Sequence, residues 1–343
     1  MAAPTRASSE QAAPAGAAPP SRSGLARAAD TFFARREASI LVVTIALAVY
    51  FYFNAVDFVS SDNARTLATF IAAPAIIAAG EVMLMICGEI DLSVGQVYAL
   101  APFIVVKLHN GGVPLLLCVV LSLVACTGIG LINGVVTTVI GVSSFVTTLG
   151  MFFLLNGLVL TIAHGRPVDT PGHGTYANIF GGGAYSEFIW AVLIAIAIQL
   201  LLVRTRWGLH TIATGGNRLG ASEAGVKVRV AATRNFMLAS ALAGFTGILE
   251  SVRITSTDPS AGGADIMFQA ISAAVIGGTL LAGGSGTVIG AFIGATFLGI
   301  LRDGFTIQGV SAFTFDLIQG GAILVAMAVN VYVGRIRRGS RSA

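Results

Sequence analysis

Residues 114–139 read PLLLCVVLSLVACTGIGLINGVVTTV, an unbroken run without one charged side chain. It exceeds the roughly 20 residues that carry a helix across the hydrocarbon core of a bilayer. Nine more apolar runs flank it, at 39–57, 66–87, 94–108, 144–163, 186–203, 235–252, 266–282, 287–301 and 315–333. The runs at 94–108 and 287–301 are only 15 residues long, so each reads as a candidate for a re-entrant or half-crossing helix. Composition agrees with the pattern. Soluble chains are about 25% charged, whereas this chain of 343 residues is 10% charged and 55% apolar, with a mean hydropathy of +0.85. Its 20 Lys and Arg and 16 Asp and Glu cannot coat a water-facing surface. The expected fold is all-α: a polytopic membrane protein of about ten transmembrane helices.

Basic residues cluster in three places. Arg22, Arg27, Arg35 and Arg36 precede the first run; Arg204, Arg206, Arg218, Lys227, Arg229 and Arg234 lie between the sixth and seventh; Arg335, Arg337, Arg338 and Arg341 follow the last. Positive charge stays cytoplasmic. Even numbers of runs separate the clusters, so both termini read as cytoplasmic, and the basic excess reports topology rather than nucleic-acid binding. Residues 1–38, rich in Ala, Pro, Ser and Arg, read as a disordered cytoplasmic tail. Residues 39–334 form the transmembrane domain and 335–343 a basic cytoplasmic tail. Cys87, Cys118 and Cys126 lie in apolar runs without a CxxC pair and read as inert buried thiols.

Gly141-Val142-Ser143-Ser144-Phe145 recurs as Gly309-Val310-Ser311-Ala312-Phe313, each copy beyond a glycine-rich helix end. Even-span counting puts one copy inside and one outside, as an inverted repeat requires. The glycine breaks at 88–95 and 277–286 both come out cytoplasmic, which does not fit that symmetry.

Those two breaks are the first candidates for chemistry. Gly88-Glu89-Ile90-Asp91-Leu92-Ser93-Val94-Gly95 precedes one short run, and Gly277-Gly278-Thr279 through Gly283-Gly284-Ser285-Gly286 precedes the other. Broken helices expose backbone groups that lipid cannot satisfy, so they face protein or a wet cavity, and paired breaks point to a transport pathway. Glu89 and Asp91 fit two readings, pathway groups or caps of the following helix. Glu81, inside the second run, is a deep carboxylate and a functional candidate; an interhelical hydrogen bond is its bland alternative. Glu250 and Asp316 lie near span ends, where water is within reach. The spacings Gly130/Gly134 and Gly286/Gly290/Gly294 read as close helix packing.

The cytoplasmic segment 204–234 is too long and too patterned for a plain connector. Its small residues Gly215, Ala221 and Gly225 suggest a short helix shaped to dock on another protein, and its basic amphipathic composition also suits a helix lying on anionic lipid.

At this point the chain resembles the permease subunit of ribose/xylose-type sugar ABC importers. The pattern Ala213-x-Gly215-x-Asn217-x-x-x-Ala221-x-x-x-Gly225-Val226 is similar to that family's coupling loop, 88–95 to its first signature, and Ala273 through Gly286 to its second. The match spans roughly 60–335 in order. Two departures stand out, because family members more often have Gly where this chain has Glu89 and an uncharged residue where it has Glu81.

The resemblance implies alternating access in the inner (plasma) membrane of a prokaryotic cell. An ABC ATPase subunit, which carries ATP and magnesium, would meet Gly208, Ala213, Gly215, Asn217, Ala221, Glu223, Gly225 and Val226. An extracytoplasmic sugar-binding protein would dock on the external loops, chiefly 164–185 and 253–265, and a second permease chain would complete the path. Neutral hydrogen-bonding groups suit sugar passage; the pathway candidates are Ser93, Asn133, Gln269 and Thr279, with Glu81, Glu89 and Asp91. No cofactor is expected in this chain. A phosphate-binding loop needs Gly-Lys-Ser/Thr, and the lysines, Lys107 and Lys227, are flanked by valine and leucine or by valines. The main alternative is an ion-coupled secondary transporter with Glu81 as carrier, which has no use for a shaped docking element. A rhomboid-like protease would need a histidine after Ser285, and there is none.

Overall fold

The computed structural model describes residues 36–311, 314, 317–322 and 324–325. The remainder of the N-terminal tail, most of the run at 315–333, Asp316 and the basic tail 335–343 lie outside the described residues.

The described chain is helical. In order come α1 (Arg36–Asn54), α2 (Ser61–Ile86), α3 (Val94–Asn110), α4 (Leu115–Val135), α5 (Ser144–Ala163), α6 (Ser186–Arg204), α7 (Arg206–Gly216), α8 (Arg218–Glu223), α9 (Val228–Ile254), α10 (Gly263–Ile276) and α11 (Val288–Ile307). Among the described residues, six helices are long and apolar enough to cross a membrane: Ser61–Ile86, Leu115–Ile140, Ser144–Ala163, Ser186–Arg204, Val228–Ile254 and Val288–Ile307. Ala38–Asn54 and Gly263–Ile276 are shorter apolar helices.

The half-crossing expectation needs correcting for the run at 287–301. That run extends to a 20-residue helix, because its polar end finds partners. Asp303 accepts a hydrogen bond from Asn63 Nδ2 at 2.7 Å, and the Arg302 guanidinium lies 4.8 Å from the centre of the Phe70 ring. The run at 94–108 is a 17-residue helix. The shorter one is α10, with 14 residues, which stops at Ile276 although the apolar sequence continues to Ala282. Gly278 at φ 93° turns the chain there, a conformation that costs glycine little.

Helix α2 is the axis of the bundle. From Ile76 to Ile86 every residue is buried, and its neighbours are α11, α9, α6 and α10. Its other polar end is set by Ser60, whose side chain accepts from the Asn63 amide. Helix α9 packs on α4, α3 and α2. Close approach there requires glycine: a Cβ at Gly247 would lie 1.9 Å from Tyr98 O, and one at Gly130 would lie 2.4 Å from Phe236 O. The expected small-residue stripes are therefore packing faces. The outer faces of α4 and α5 expose Leu116, Val120, Val124, Ile132, Phe153 and Leu154, apolar side chains that suit lipid.

The repeated pentapeptide is one local device used twice. Gly141 (φ 89°) and Gly309 (φ 75°) each follow a helical end in the left-handed conformation. Two residues on, Ser143 Oγ accepts from the Val146 amide and Ser311 Oγ from the Thr314 amide.

Candidate functional site

Three sequence motifs, far apart in the chain, meet at one end of the bundle. Helix α7 is seated against the end of α2 so closely that a Cβ on Gly215 would lie 1.6 Å from Ile86 O and 2.7 Å from Gly284 N. Ile86 O already accepts the Gly284 amide at 2.8 Å. The end of α2, the end of α7 and the 283–284 turn therefore share one backbone contact. Asn235, fully buried at the start of α9, clamps the same junction. Its Nδ2 donates to Met83 O at 2.9 Å and to Thr211 Oγ1 at 3.2 Å, and its Oδ1 accepts Trp207 Nε1 at 2.7 Å.

The 213–226 pattern is helix grammar. Asn217 caps α8 by accepting the Gly220 amide at 2.9 Å. Gly225 (φ 85°) closes α8, and the Val226 amide bonds to Ala221 O at 2.9 Å, a 6→1 closure. Gly208 and Ala221 face the chain's own interior: a Cβ on Gly208 would lie 2.0 Å from Leu202 O, and Ala221 is buried. Small size at Gly208, Gly215 and Ala221 thus serves packing within this chain. Ala213 is half-buried and Glu223 exposed. What α7 and α8 present outward is mixed: Leu209 is 63% and Leu219 71% exposed, beside exposed Arg206, Arg218 and Glu223.

Behind this junction sits a closed polar network. Asp91 accepts the Ser93 amide at 2.8 Å, Ser93 Oγ at 2.6 Å, Asn133 Nδ2 at 3.3 Å and Ser240 Oγ at 3.4 Å. Glu81 Oε2 accepts the Asp91 amide at 3.4 Å. All five residues are fully buried. Glu81 Oε1 and Asn133 Oδ1 have no hydrogen-bond partner among the described residues.

The structure therefore separates the predicted pathway residues. Glu81, Asp91, Ser93 and Asn133 come together in the network, where Asp91 also caps the entry to α3 through Ser93. Among the described residues Glu89 caps no helix; it pairs with Arg218 of α8 at 2.8 Å. Gln269 is apart, donating to Asp265 at 2.9 Å in the first turns of α10, and Thr279 is buried beside Gly286. Sequence reasoning missed Asn235 and Ser240, which are single neutral polar residues in an apolar run and carry no signal. Arg218 was visible only as one charge in a basic cluster.

At the opposite end, a two-residue ribbon pairs Val168 with Thr257 and Asp169 with Ser256, so the 164–185 and 255–262 loops are joined. Arg253 binds Glu250 and lies 3.3 Å from buried Glu187. In the same loop the Ser260 hydroxyl and amide hold the Asp258 carboxyl below the usual carboxylate range.

A helical bundle with a lipid-facing apolar exterior, interrupted helices meeting in its interior and a structured element between spans defines a multi-pass membrane permease. The chain belongs to the family described as branched-chain amino acid transport system / permease component, whose pattern matches residues 63–327. It is similar to the xylose/arabinose import permease protein XylH of Sulfolobus acidocaldarius, at 38% identity over 88% of this chain and 86% of that protein. It is also similar to the ribose import permease protein RbsC of Escherichia coli, at 31% identity over 80% of this chain and 87% of that protein. The D-allose transport system permease protein AlsC of Escherichia coli is 26% identical over 87% of this chain and 92% of its own length. No solved structure matches the chain.

Proposed function

We propose that this chain is the membrane-spanning permease subunit of an ABC importer and passes a sugar delivered by an extracytoplasmic binding protein. The observation that carries the reading is the convergence of 88–95, 213–226 and 277–286 on one junction, with exposed Leu209 and Leu219 beside it. A carrier driven by an ion gradient has no need of such an element. An ATPase subunit holding ATP and magnesium has, because its movement must reach the spans through a rigid contact. Relatives named for xylose/arabinose, ribose and D-allose transport support a monosaccharide as substrate. A second permease chain completes the path, in the plasma membrane of a prokaryotic cell. The test is sugar uptake into vesicles at clamped ATP, with and without a protonophore.

In this reading both termini and the 204–234 segment are cytoplasmic, and the joined 164–185 and 255–262 loops receive the binding protein. The cysteines of the chain, Cys87, Cys118 and Cys126, are all buried, so labelling background is low. A membrane-impermeant thiol reagent is expected to label His173→Cys in intact cells and Leu219→Cys only after lysis. The reverse pattern would contradict this orientation.

A further inference from the structure

We propose that the Glu89–Arg218 ion pair is the link that carries movement of α8 into the buried Asp91 network. The inference rests on the importer reading above and deepens it.

The two helices of the 204–234 segment are held differently. Helix α7 is fixed to the bundle by the Gly215–Ile86 contact and by the bonds of Trp207 and Thr211 to Asn235. Helix α8 lies mostly exposed. Among the described residues its one side-chain bond to another part of the bundle is Arg218 Nη1 to Glu89 Oε1 at 2.8 Å. Glu89 is 9% exposed and Arg218 48%, so the pair straddles the surface: the acid is held inside and the base reaches in from the exposed helix.

What Glu89 is attached to gives the pair its consequence. Three consecutive residues each bond a different element. Glu89 bonds α8; the Ile90 amide donates to Ser144 Oγ at the start of α5 at 3.4 Å; the Asp91 amide donates to Glu81 of α2 at 3.4 Å. Just before them stands Gly88 at φ 79°, where the Glu89 amide bonds back to Leu84 O at 3.1 Å and closes the end of α2. A pull on Glu89 therefore acts on the closed end of α2 and is passed to residues 90 and 91, whose amides are held by side chains. Asp91 in turn is the common acceptor of Ser93, Asn133 and Ser240, from the start of α3 and from α4 and α9. One side-chain contact thus connects the exposed α8 to five helices, α2, α3, α4, α5 and α9. Glu89→Gln removes the buried charge together with the pair, so a role in transmission is separable from a role in folding, whereas Arg218→Gln leaves that charge without its partner.

The experiment uses the complete complex of permease, ATPase and binding protein in proteoliposomes, with xylose, arabinose, ribose and D-allose as probes. Glu89→Gln and Arg218→Gln are each expected to lower sugar taken up per ATP hydrolysed by about tenfold, the order of a typical coupling between sites. In Glu89→Gln, basal hydrolysis, co-purification and melting temperature should stay at wild-type values. The exchange Glu89→Arg with Arg218→Glu should restore most of the coupled uptake. Wild-type coupling in both single variants, an exchange no better than the singles, or a Glu89→Gln melting temperature that falls in step with uptake would each overturn the proposal. A wild-type complex in which no probe stimulates hydrolysis overturns the importer reading instead, and so the two failures are distinguishable.

Discussion

Gly215→Val is expected to reduce binding-protein-stimulated ATP hydrolysis and sugar uptake to background, with the chain still inserted in the membrane. The added carbons have no room. The first of them would fall 1.6 Å from Ile86 O and 2.7 Å from Gly284 N, both backbone atoms that already bond each other. Either α7 lifts off the end of α2 or the 283–284 turn is displaced, and each outcome breaks the junction through which the ATPase would act. Overpacking of this kind typically costs about 1–3 kcal/mol even where side chains can adjust, and here they cannot. The neighbouring Gly216 has nothing within 4 Å of its Cβ position, which makes Gly216→Ala an internal control. Uptake by Gly215→Val equal to that of Gly216→Ala would contradict the role assigned to the contact.

Asp91→Leu should show the largest loss of stability. The carboxylate is the acceptor for the Ser93 amide, the Ser93 hydroxyl and the Ser240 hydroxyl, all in a fully buried setting. Leucine leaves these donors without it, at about 1–3 kcal/mol for each unsatisfied group, against a net folding stability of about 5–15 kcal/mol. The variant is expected to melt far below the wild type in detergent or to fail to accumulate. Asp91→Asn keeps one carbonyl oxygen as acceptor and should fall between them. An Asp91→Leu protein that melts with the wild type would show that the network contributes nothing to the bundle.

The spans were legible because hydropathy reports what lipid demands. Charge-free runs such as 114–139 become helices with little room for another outcome. Two boundaries were not legible for the same reason. Residues 277–282 are as apolar as a span, yet the chain turns at Gly277 and Gly278, and apolarity does not distinguish a helix from a tight turn sealed by neighbours. Conversely, Arg302 and Asp303 read as a helix end, whereas Phe70 and Asn63 let the helix continue through them. Small residues carry a second ambiguity. Gly215 and Ala221 read as the small residues of a helix shaped to dock on another protein, whereas the structure seats Gly215 against this chain's own backbone and buries Ala221. Glu89 was read as a cap or a pathway group, because its partner Arg218 lies 129 residues away. Asn235 and Ser240 left no trace at all, since a single amide or hydroxyl in a membrane helix is common and only its neighbours reveal its use.

The most direct test of the central claim is uptake of labelled xylose, arabinose, ribose and D-allose into proteoliposomes holding this chain, its ATPase and its binding protein, with internal ATP clamped. ATP is expected to drive concentrative uptake of at least one sugar, a protonophore to leave the rate unchanged, and Glu81→Gln, which keeps the shape of the side chain, to retain substantial uptake. Uptake that continues without ATP and collapses with the protonophore, and is abolished in Glu81→Gln, would identify an ion-coupled carrier and contradict the account.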